Sequence, residues 1–187
     1  MTTVFVCRII RAAFFCVMFC CSTTHARIGE TSVQFADRYG APKDTPNAKE
    51  NDTRSPLVQG AIHHRYDYQG WSIRAAFLQV NGPAIRMEYQ KIDGAPPTDS
   101  DRQAIVAGNS GNGMSWKEIS LSGYDDKTKA YFAGAVGGKI WRRSDGAVLW
   151  LRSPTILRLE LPVARDRDEA RNKAKKEEKA RTPAPKF

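Results

Sequence analysis

The side chains best suited to binding chemistry in this sequence are the tryptophans and arginines between residues 141 and 152. Asp145-Gly146 predicts a hairpin here, because both central residues of its turn need positive φ. With a two-residue turn Trp141 opposes Trp150, and four side chains share one sheet face: Trp141, Arg143, Trp150 and Arg152. Tryptophan and arginine dominate binding energy at interfaces. We therefore predict a surface for a protein partner or an anionic or sugar polymer; alternatively, the tryptophans pack in the core and the arginines are solvated.

Serine and histidine patterns that could support catalysis have structural explanations. Ser110 lies in a glycine-rich stretch at 108–112, but Asn112 stands where a nucleophile elbow needs its second glycine. We interpret that stretch as the loop that ends a helix. His63 and His64 are adjacent, so on a strand they point to opposite faces and cannot easily share a metal ion.

Two carboxylate pairs are also explained by local structure. Asp99 and Asp101 lie at a predicted helix start, where negative charge is favourable, and Asp125-Asp126 lies in a predicted turn. Glycosidase chemistry would need two carboxyl groups facing one cleft. We predict no catalytic residue, no metal ion and no cofactor. A hydrolase that uses a carboxylate with one of the two histidines is the alternative.

The first 26 residues have the three-part pattern of a secretory signal. Arg8 and Arg11 give a positive start, residues 12–21 are apolar, and Thr24 and Ala26 are the small residues before a cut. About 20 apolar residues are needed to cross a bilayer, so this run is too short for a permanent anchor. We predict an exported protein, periplasmic or extracellular, with no integral membrane span after cleavage of residues 1–26.

All cysteines of the sequence lie in the predicted signal: Cys7, Cys16, Cys20 and Cys21. The mature chain therefore contains none, which excludes disulfides, cysteine nucleophiles and cysteine-based metal sites. Lipidation at Cys20 or Cys21 is the alternative fate of the signal. The bulky Met18 and Phe19 fit the lipoprotein pattern poorly, so we favour a mature chain without a lipid anchor.

The net charge of +9 does not indicate nucleic-acid binding. The tail at 163–187 carries nine Lys or Arg against five Asp or Glu, whereas the segment at 27–162 has 18 against 15. Nucleic-acid-binding proteins concentrate positive charge on a folded face, and an exported protein rarely meets nucleic acid. A third hypothesis is that the Lys-rich tail adheres to an anionic wall polymer.

Local patterns predict an α+β fold. A capping box from Thr31 to Gln34 begins a short helix that ends at Gly40. Strands with period-two alternation follow over 62–68, 71–77 and 85–89. A second helix begins after Thr98 and runs through about Ala107. Five strand candidates come after it, at 115–121, 129–133, 139–143, 147–152 and 155–161.

These elements predict a single domain over 27–162, in which two short helices pack on antiparallel sheet. Its halves, about 28–92 and 93–162, have a similar order of elements, which suggests two tandem helix–β–β–β units. The tail at 163–187 has no large apolar residue between Val163 and Phe187. We therefore predict that this charged tail is a solvated helix or is disordered.

The stretch from Gly29 to Pro42 resembles the start of the BamE (SmpA/OmlA) family of small bacterial envelope proteins. That family opens with Gly-x-Thr/Ser, a short helix and Leu-Gly-x-Pro. Gly29, Thr31, Gly40 and Pro42 match, and Tyr39 replaces the leucine. A repeated version of this unit builds the β-lactamase-inhibitor-protein fold. The resemblance covers about residues 28–92 and implies a non-catalytic binding scaffold in the cell envelope. From the tryptophan and arginine surface and the basic tail, we expect the partner to be an envelope protein or an anionic wall polymer.

The same opening is similar to that of secreted proteins from Verrucomicrobia and related bacteria. Their later half carries an Asn-rich loop, a tryptophan and a Trp-x-x-x-Asp-Gly-Ala hairpin. The corresponding residues here are 109–111, Trp116 and 141–147.

Overall fold

The structure, a computed structural model, describes residues 27–43, 57–111, 113–135 and 139–181. The predicted signal at 1–26 lies outside these ranges, as do most of the polar stretch at 43–56, whose composition predicts a loop, and the end of the tail at 182–187. Within them, helices and one antiparallel sheet confirm the predicted α+β class.

The sheet consists of two meanders joined side by side. Its strands are β1 Ile62–Tyr68, β2 Trp71–Phe77, β3 Ala84–Lys91, β4 Trp116–Ile119, β5 Ile140–Arg143, β6 Val148–Ser153 and β7 Ile156–Glu160. Their order is β1-β2-β3-β7-β6-β5-β4, and all neighbours are antiparallel. The first half follows the predicted helix–β–β–β order. The second half also begins with a helix, but it contains four strands where the first half has three.

Four helices accompany the sheet in the described ranges: α1 Ser32–Tyr39, α2 Asp99–Gly108, α3 Asp126–Tyr131 and α4 Pro162–Arg181. The capping boxes that predict α1 and α2 are both present, with Gln34 returning to Thr31 and Asp101 to Thr98. None of these helices combines the length and apolar character that crossing a bilayer requires.

One face of the sheet, here called the helix face, packs against α1 and α2. Phe35 of α1 is fully buried at its centre, with ring centroids 5.4 Å from Phe77 and 5.6 Å from Tyr66. Ile105 of α2 extends the same cluster. This is the larger core, and its further buried strand residues are Ile73, Ala75, Met87, Tyr89, Leu149, Leu157 and Leu159.

The opposite face, here called the arginine face, carries Arg74, Arg86 and Arg158. The alternation predicts that these three lie opposite the apolar set, and the strand register confirms it, because Glu88 pairs with Arg74 on one side and Arg158 on the other. Two smaller apolar clusters cover parts of this face. One contains Leu57, Val58, Ala76, Ile85 and Ala164, and the other Phe132, Ile140, Val148 and Trp150.

The predicted strand at 129–133 is wrong, because residues 129–131 belong to the helix α3 and residues 132–133 to the turn that ends it. Asp125 is its N-cap: the Asp125 carboxylate accepts hydrogen bonds from the Thr128 N–H at 2.9 Å and the Thr128 hydroxyl at 2.8 Å. Such a cap satisfies donors that a strand would leave for a neighbour. The helix also lets Phe132 pack edge-on against Trp150, with ring centroids 5.1 Å apart.

The hairpin between β5 and β6 forms as predicted, but its loop has three residues rather than two. Arg143 and Ala147 close it, because the Arg143 N–H donates to the Ala147 carbonyl at 2.8 Å. Gly146 has a φ of +88°, the left-handed conformation that a three-residue hairpin loop needs at its last position. The extra residue changes the register of everything that follows.

Helix α4 rests on the arginine face through its first turns. Ala164 is its only buried residue, so apolar packing alone holds little of it. Three ion pairs add to that packing: Asp168 to Arg86 at 2.7 Å, Glu169 to Lys127 at 2.6 Å and Arg165 to Glu160 at 4.0 Å. The described part of the predicted tail is therefore helical.

The docking point of α4 is a buried polar network around Arg86, a side chain only 1% exposed. Its guanidinium donates to Glu160 at 2.7 Å, to the Leu57 carbonyl at 2.5 Å and to the Tyr131 hydroxyl at 3.0 Å, besides Asp168. The Tyr131 hydroxyl in turn donates to Glu160 at 2.8 Å. A buried charge is stable only when its partners are present, so this network fixes β3, β7, α3 and α4 relative to one another.

Replacing Arg86 with methionine is expected to lower the free energy of unfolding by about 3–5 kcal/mol, because Glu160 then loses its buried counter-charge. Urea unfolding followed by circular dichroism measures the change. The control is Arg142→Met on the exposed part of the same face, which should change stability by less than about 0.5 kcal/mol. Adding Glu160→Leu to Arg86→Met should recover part of the loss. If Arg86→Met were as stable as the control Arg142→Met, the Arg86 network would not be a main source of stability.

Candidate functional site

The structure separates the four residues predicted to share one face. Because of the three-residue loop, Trp141 pairs with Leu149 and Ile140 pairs with Trp150. A register shift of one residue moves side chains to the other face. The shared face is therefore wrong: Trp141 and Arg143 lie on the helix face, and Trp150 and Arg152 on the arginine face.

Two of the four are buried and hold local structure. Arg143 is 5% exposed, and its guanidinium donates to both carboxylate oxygens of Asp145 at 2.9 and 2.7 Å and to the Asn109 carbonyl at 2.9 Å. Trp150 is 3% exposed and lies under Tyr131 and Phe132. The more accessible members are Trp141, which is half-buried, and Arg152, whose side chain is 46% exposed.

A cluster of arginines surrounds Glu88 on the arginine face. One carboxylate oxygen of Glu88 accepts from Arg158 at 2.5 Å and from Arg152 at 2.8 Å, and the other accepts from Arg74 at 3.4 Å. Arg152 reaches Glu88 because it lies two residues after Trp150 on β6, and strand alternation places both on this face. Glu88 is 3% exposed, so it orients the guanidinium groups from beneath.

The pKa of Glu88 reflects two opposed effects. Burial raises the pKa of the carboxyl, but the charges of Arg158, Arg152 and Arg74 outweigh it and hold that pKa below its usual value. Glu88 is therefore ionised at neutral pH and keeps two of these guanidinium groups at the wall of a groove.

That groove, here called the arginine groove, lies between α4, α3 and the sheet, with a volume of about 430 Å³. Its cationic wall consists of Arg152 and Arg158 from the strands and Arg171 from α4, with Asn172 beside them. Trp150 and Tyr131 form part of its lining. The acidic residue at its edge, Asp168, is already paired with Arg86, so cationic side chains predominate.

A second groove, here called the tryptophan groove, lies on the helix face between α2, β4 and β5, with a volume of about 560 Å³. Trp116 and Trp141 line it from the sheet. Its charged groups are Asp99 and Arg102 of α2 with Glu118 and Lys139 on the sheet side. Of the four residues predicted to share a face, Trp141 lines this groove, Trp150 and Arg152 line the arginine groove, and Arg143 lines neither.

The residues considered for catalysis take structural positions. His63 accepts a hydrogen bond from the Val58 N–H at 3.3 Å on one face, and His64 meets the Tyr66 hydroxyl at 3.1 Å on the other. Burial lowers the pKa of both histidines. The Ser110 hydroxyl donates to the Val106 carbonyl at 2.7 Å at the end of α2. Neither histidine lines either groove.

Metal binding has no support in the described part of the chain. Across 27–43, 57–111, 113–135 and 139–181, no three His, Cys, Asp or Glu side chains come together as a metal site would need.

Sequence reasoning missed Glu88 and Arg171. Glu88 lies two residues after Arg86 on β3, so alternation places both on one face. This is a weak signal, because only the pairing of β7 beside β3 brings Arg158 to the Glu88 carboxylate. Arg171 belongs to the predicted tail, and only the docking of α4 brings it to the sheet.

No protein-family model, curated protein or solved structure matches this chain. The function is therefore inferred from the lining and geometry of the two grooves.

The Glu88→Gln variant is expected to lose about 3 kcal/mol of unfolding free energy at pH 7, because the arginines lose their shared counter-charge. A carboxyl whose pKa is lower in the folded than in the unfolded state stabilises the fold at any pH above its unfolded-state pKa. This stabilisation disappears as the pH falls through the folded-state pKa. Wild-type stability should therefore drop toward that of the variant in acid, below about pH 4. Urea unfolding at several pH values measures this, with the exposed Glu118→Gln as control. Parallel pH profiles for wild type and Glu88→Gln would contradict the assignment.

Proposed function

We propose that this chain is a non-enzymatic, exported binding protein of the bacterial cell envelope, and that its arginine groove captures an anionic wall polymer. The observation that carries the proposal is the convergence of Arg152, Arg158 and Arg171, from three separate elements (β6, β7 and α4), on one groove. Guanidinium groups bind phosphate and carboxylate through paired hydrogen bonds.

The arginine groove offers an anion positively charged groups that are already ordered. Glu88 holds Arg158 and Arg152 in place, so little side-chain entropy is lost when a ligand binds. The side chain of Arg158 is only 13% exposed. A charge in such a partly buried position is less screened by salt than one on the open surface.

A polymer fits better than a small anion because the positive charge continues along α4. Residues 171–181 contain six Lys or Arg and two Glu, and this part of the helix is exposed. An extended chain of phosphates or carboxylates could contact the groove and this basic track together. The hypothesis that the tail alone adheres to the polymer makes a different prediction, because it does not need the groove.

The location is proposed from the sequence. The signal pattern at 1–26 and the resemblance of residues 28–92 to the BamE family support a place in the envelope. A cysteine-free mature chain is consistent with export, since its folding then does not depend on the redox state of the compartment. A partner protein with an acidic surface is the second candidate for the same groove.

Binding of the mature chain to a poly(glycerol phosphate) oligomer tests the proposal by isothermal titration calorimetry. The double variant Arg152→Gln/Arg171→Gln should bind about tenfold more weakly, which corresponds to roughly 1.4 kcal/mol. Higher salt should weaken wild-type binding.

The matched control is Lys173→Gln/Lys175→Gln, which removes the same charge from α4 outside the lining of the groove. This control should bind the oligomer more tightly than Arg152→Gln/Arg171→Gln does. Equal losses in the two variants would favour adhesion by the tail alone, and no binding by wild type would overturn the polymer as ligand. Circular dichroism verifies that each variant is folded.

A further inference from the structure

The tryptophan groove is a second site on the opposite face of the sheet. We propose that it binds an uncharged hexose or N-acetylhexosamine unit of a glycan. The proposal does not depend on the arginine groove, because it uses different elements, a different lining and a different ligand chemistry.

The two indoles lie as diagonal neighbours on the helix face. Trp116 pairs with Arg143, and Trp141 pairs with Glu118, in the register of β4 and β5. Diagonal neighbours on antiparallel strands are about 7–8 Å apart, within reach of one ligand. Both indoles are half-buried and line the groove, so each keeps part of its ring available.

The orientation of Trp116 is fixed from one side. The Arg143 guanidinium lies 5.6 Å from the centre of the Trp116 ring. That guanidinium is itself held by both carboxylate oxygens of Asp145 and by the Asn109 carbonyl. A rigid aromatic surface binds at a lower entropic cost than a mobile one.

The charges around the groove balance. Asp99 is hydrogen-bonded to Arg102 on α2, and Glu118 and Lys139 add one charge of each sign on the sheet side. A groove without a net charge gives no preference to an anion or a cation. It offers donors and acceptors together, and Gln103, Ser110 and Ser115 add neutral ones.

A pyranose ring matches this combination. Its C–H face is apolar and can lie on an indole, and its hydroxyl groups at the edge both donate and accept hydrogen bonds. Pockets of this kind use aromatic walls for affinity and a few polar groups for orientation. An anionic ligand, by contrast, would favour the arginine groove.

Asp99 in this groove is better suited to binding a ligand than to donating a proton. Its hydrogen bond to Arg102 holds the pKa of Asp99 below the usual range, so this carboxyl is ionised at neutral pH and does not serve as a proton donor. A glycosidase would need one carboxylic acid with a raised pKa.

An extended peptide is the competing ligand. Strand β4 is the last strand in the sheet order, and a peptide can add to an edge strand through main-chain hydrogen bonds. Such a ligand would depend mainly on the edge of β4 and much less on the ring of Trp141.

The experiment is a fluorescence titration of the mature chain with N,N′,N″-triacetylchitotriose and, separately, maltotriose, with trialanine as the peptide probe. Wild type should bind at least one sugar, and Trp141→Ala should weaken that binding at least tenfold. The control is Trp71→Ala, a half-buried tryptophan on β2 that does not line the groove, and it should bind like wild type.

If Trp141→Ala does not fold, Trp141→Phe and Glu118→Gln give the same test, since each should weaken sugar binding several-fold without removing the fold. The proposal is overturned if neither sugar binds at about 10 mM. It is also overturned if the Trp141 and Glu118 variants bind like wild type, or if trialanine binds as tightly as the sugars. Variants of Arg152 and Arg171 should leave sugar binding unchanged, which keeps this test separate from that of the anionic polymer.

Discussion

The buried guanidinium of Arg86 is the interaction on which the rest of the arrangement depends. It joins the carboxylates of Glu160 and Asp168, the Tyr131 hydroxyl and the Leu57 carbonyl. These four groups come from four separate parts of the chain, so one desolvated charge on β3 fixes all of them. Because α4 has a single buried apolar residue, this polar anchor determines where the helix lies and thus whether Arg171 reaches the sheet.

The two faces of the sheet are specialised in different ways. The helix face is mostly a conventional aromatic and aliphatic core, and its groove forms only where α2 leaves β4 and β5 partly uncovered. The arginine face carries charges, and it tolerates them because Glu88 and Glu160 lie beside the buried arginines. Two grooves of different chemistry therefore lie on opposite faces of one sheet without sharing a side chain.

Local signals in the sequence predicted the elements whose causes are local. Both capping boxes, the first three strands and the hairpin at Asp145-Gly146 depend on residues within a few positions of one another. The Trp141–Trp150 register was not predictable in this way, because one extra loop residue exchanges the faces of the strand. Helix α3 was missed since its cap at Asp125 competes with a weak strand pattern. The site at Arg171 needs a contact across more than 80 residues, between Arg86 and Asp168.

Hydrogen–deuterium exchange along α4 tests the central claim most directly. If the Arg86 network docks the helix, amides at 165–172 should be protected nearly as well as those of β7, while those at 175–181 exchange much faster, since a helix that makes few tertiary contacts frays readily. In Asp168→Asn the protection at 165–172 should fall while that of β3 and β7 remains. Fast exchange along the whole of α4 in the wild-type protein would contradict the account.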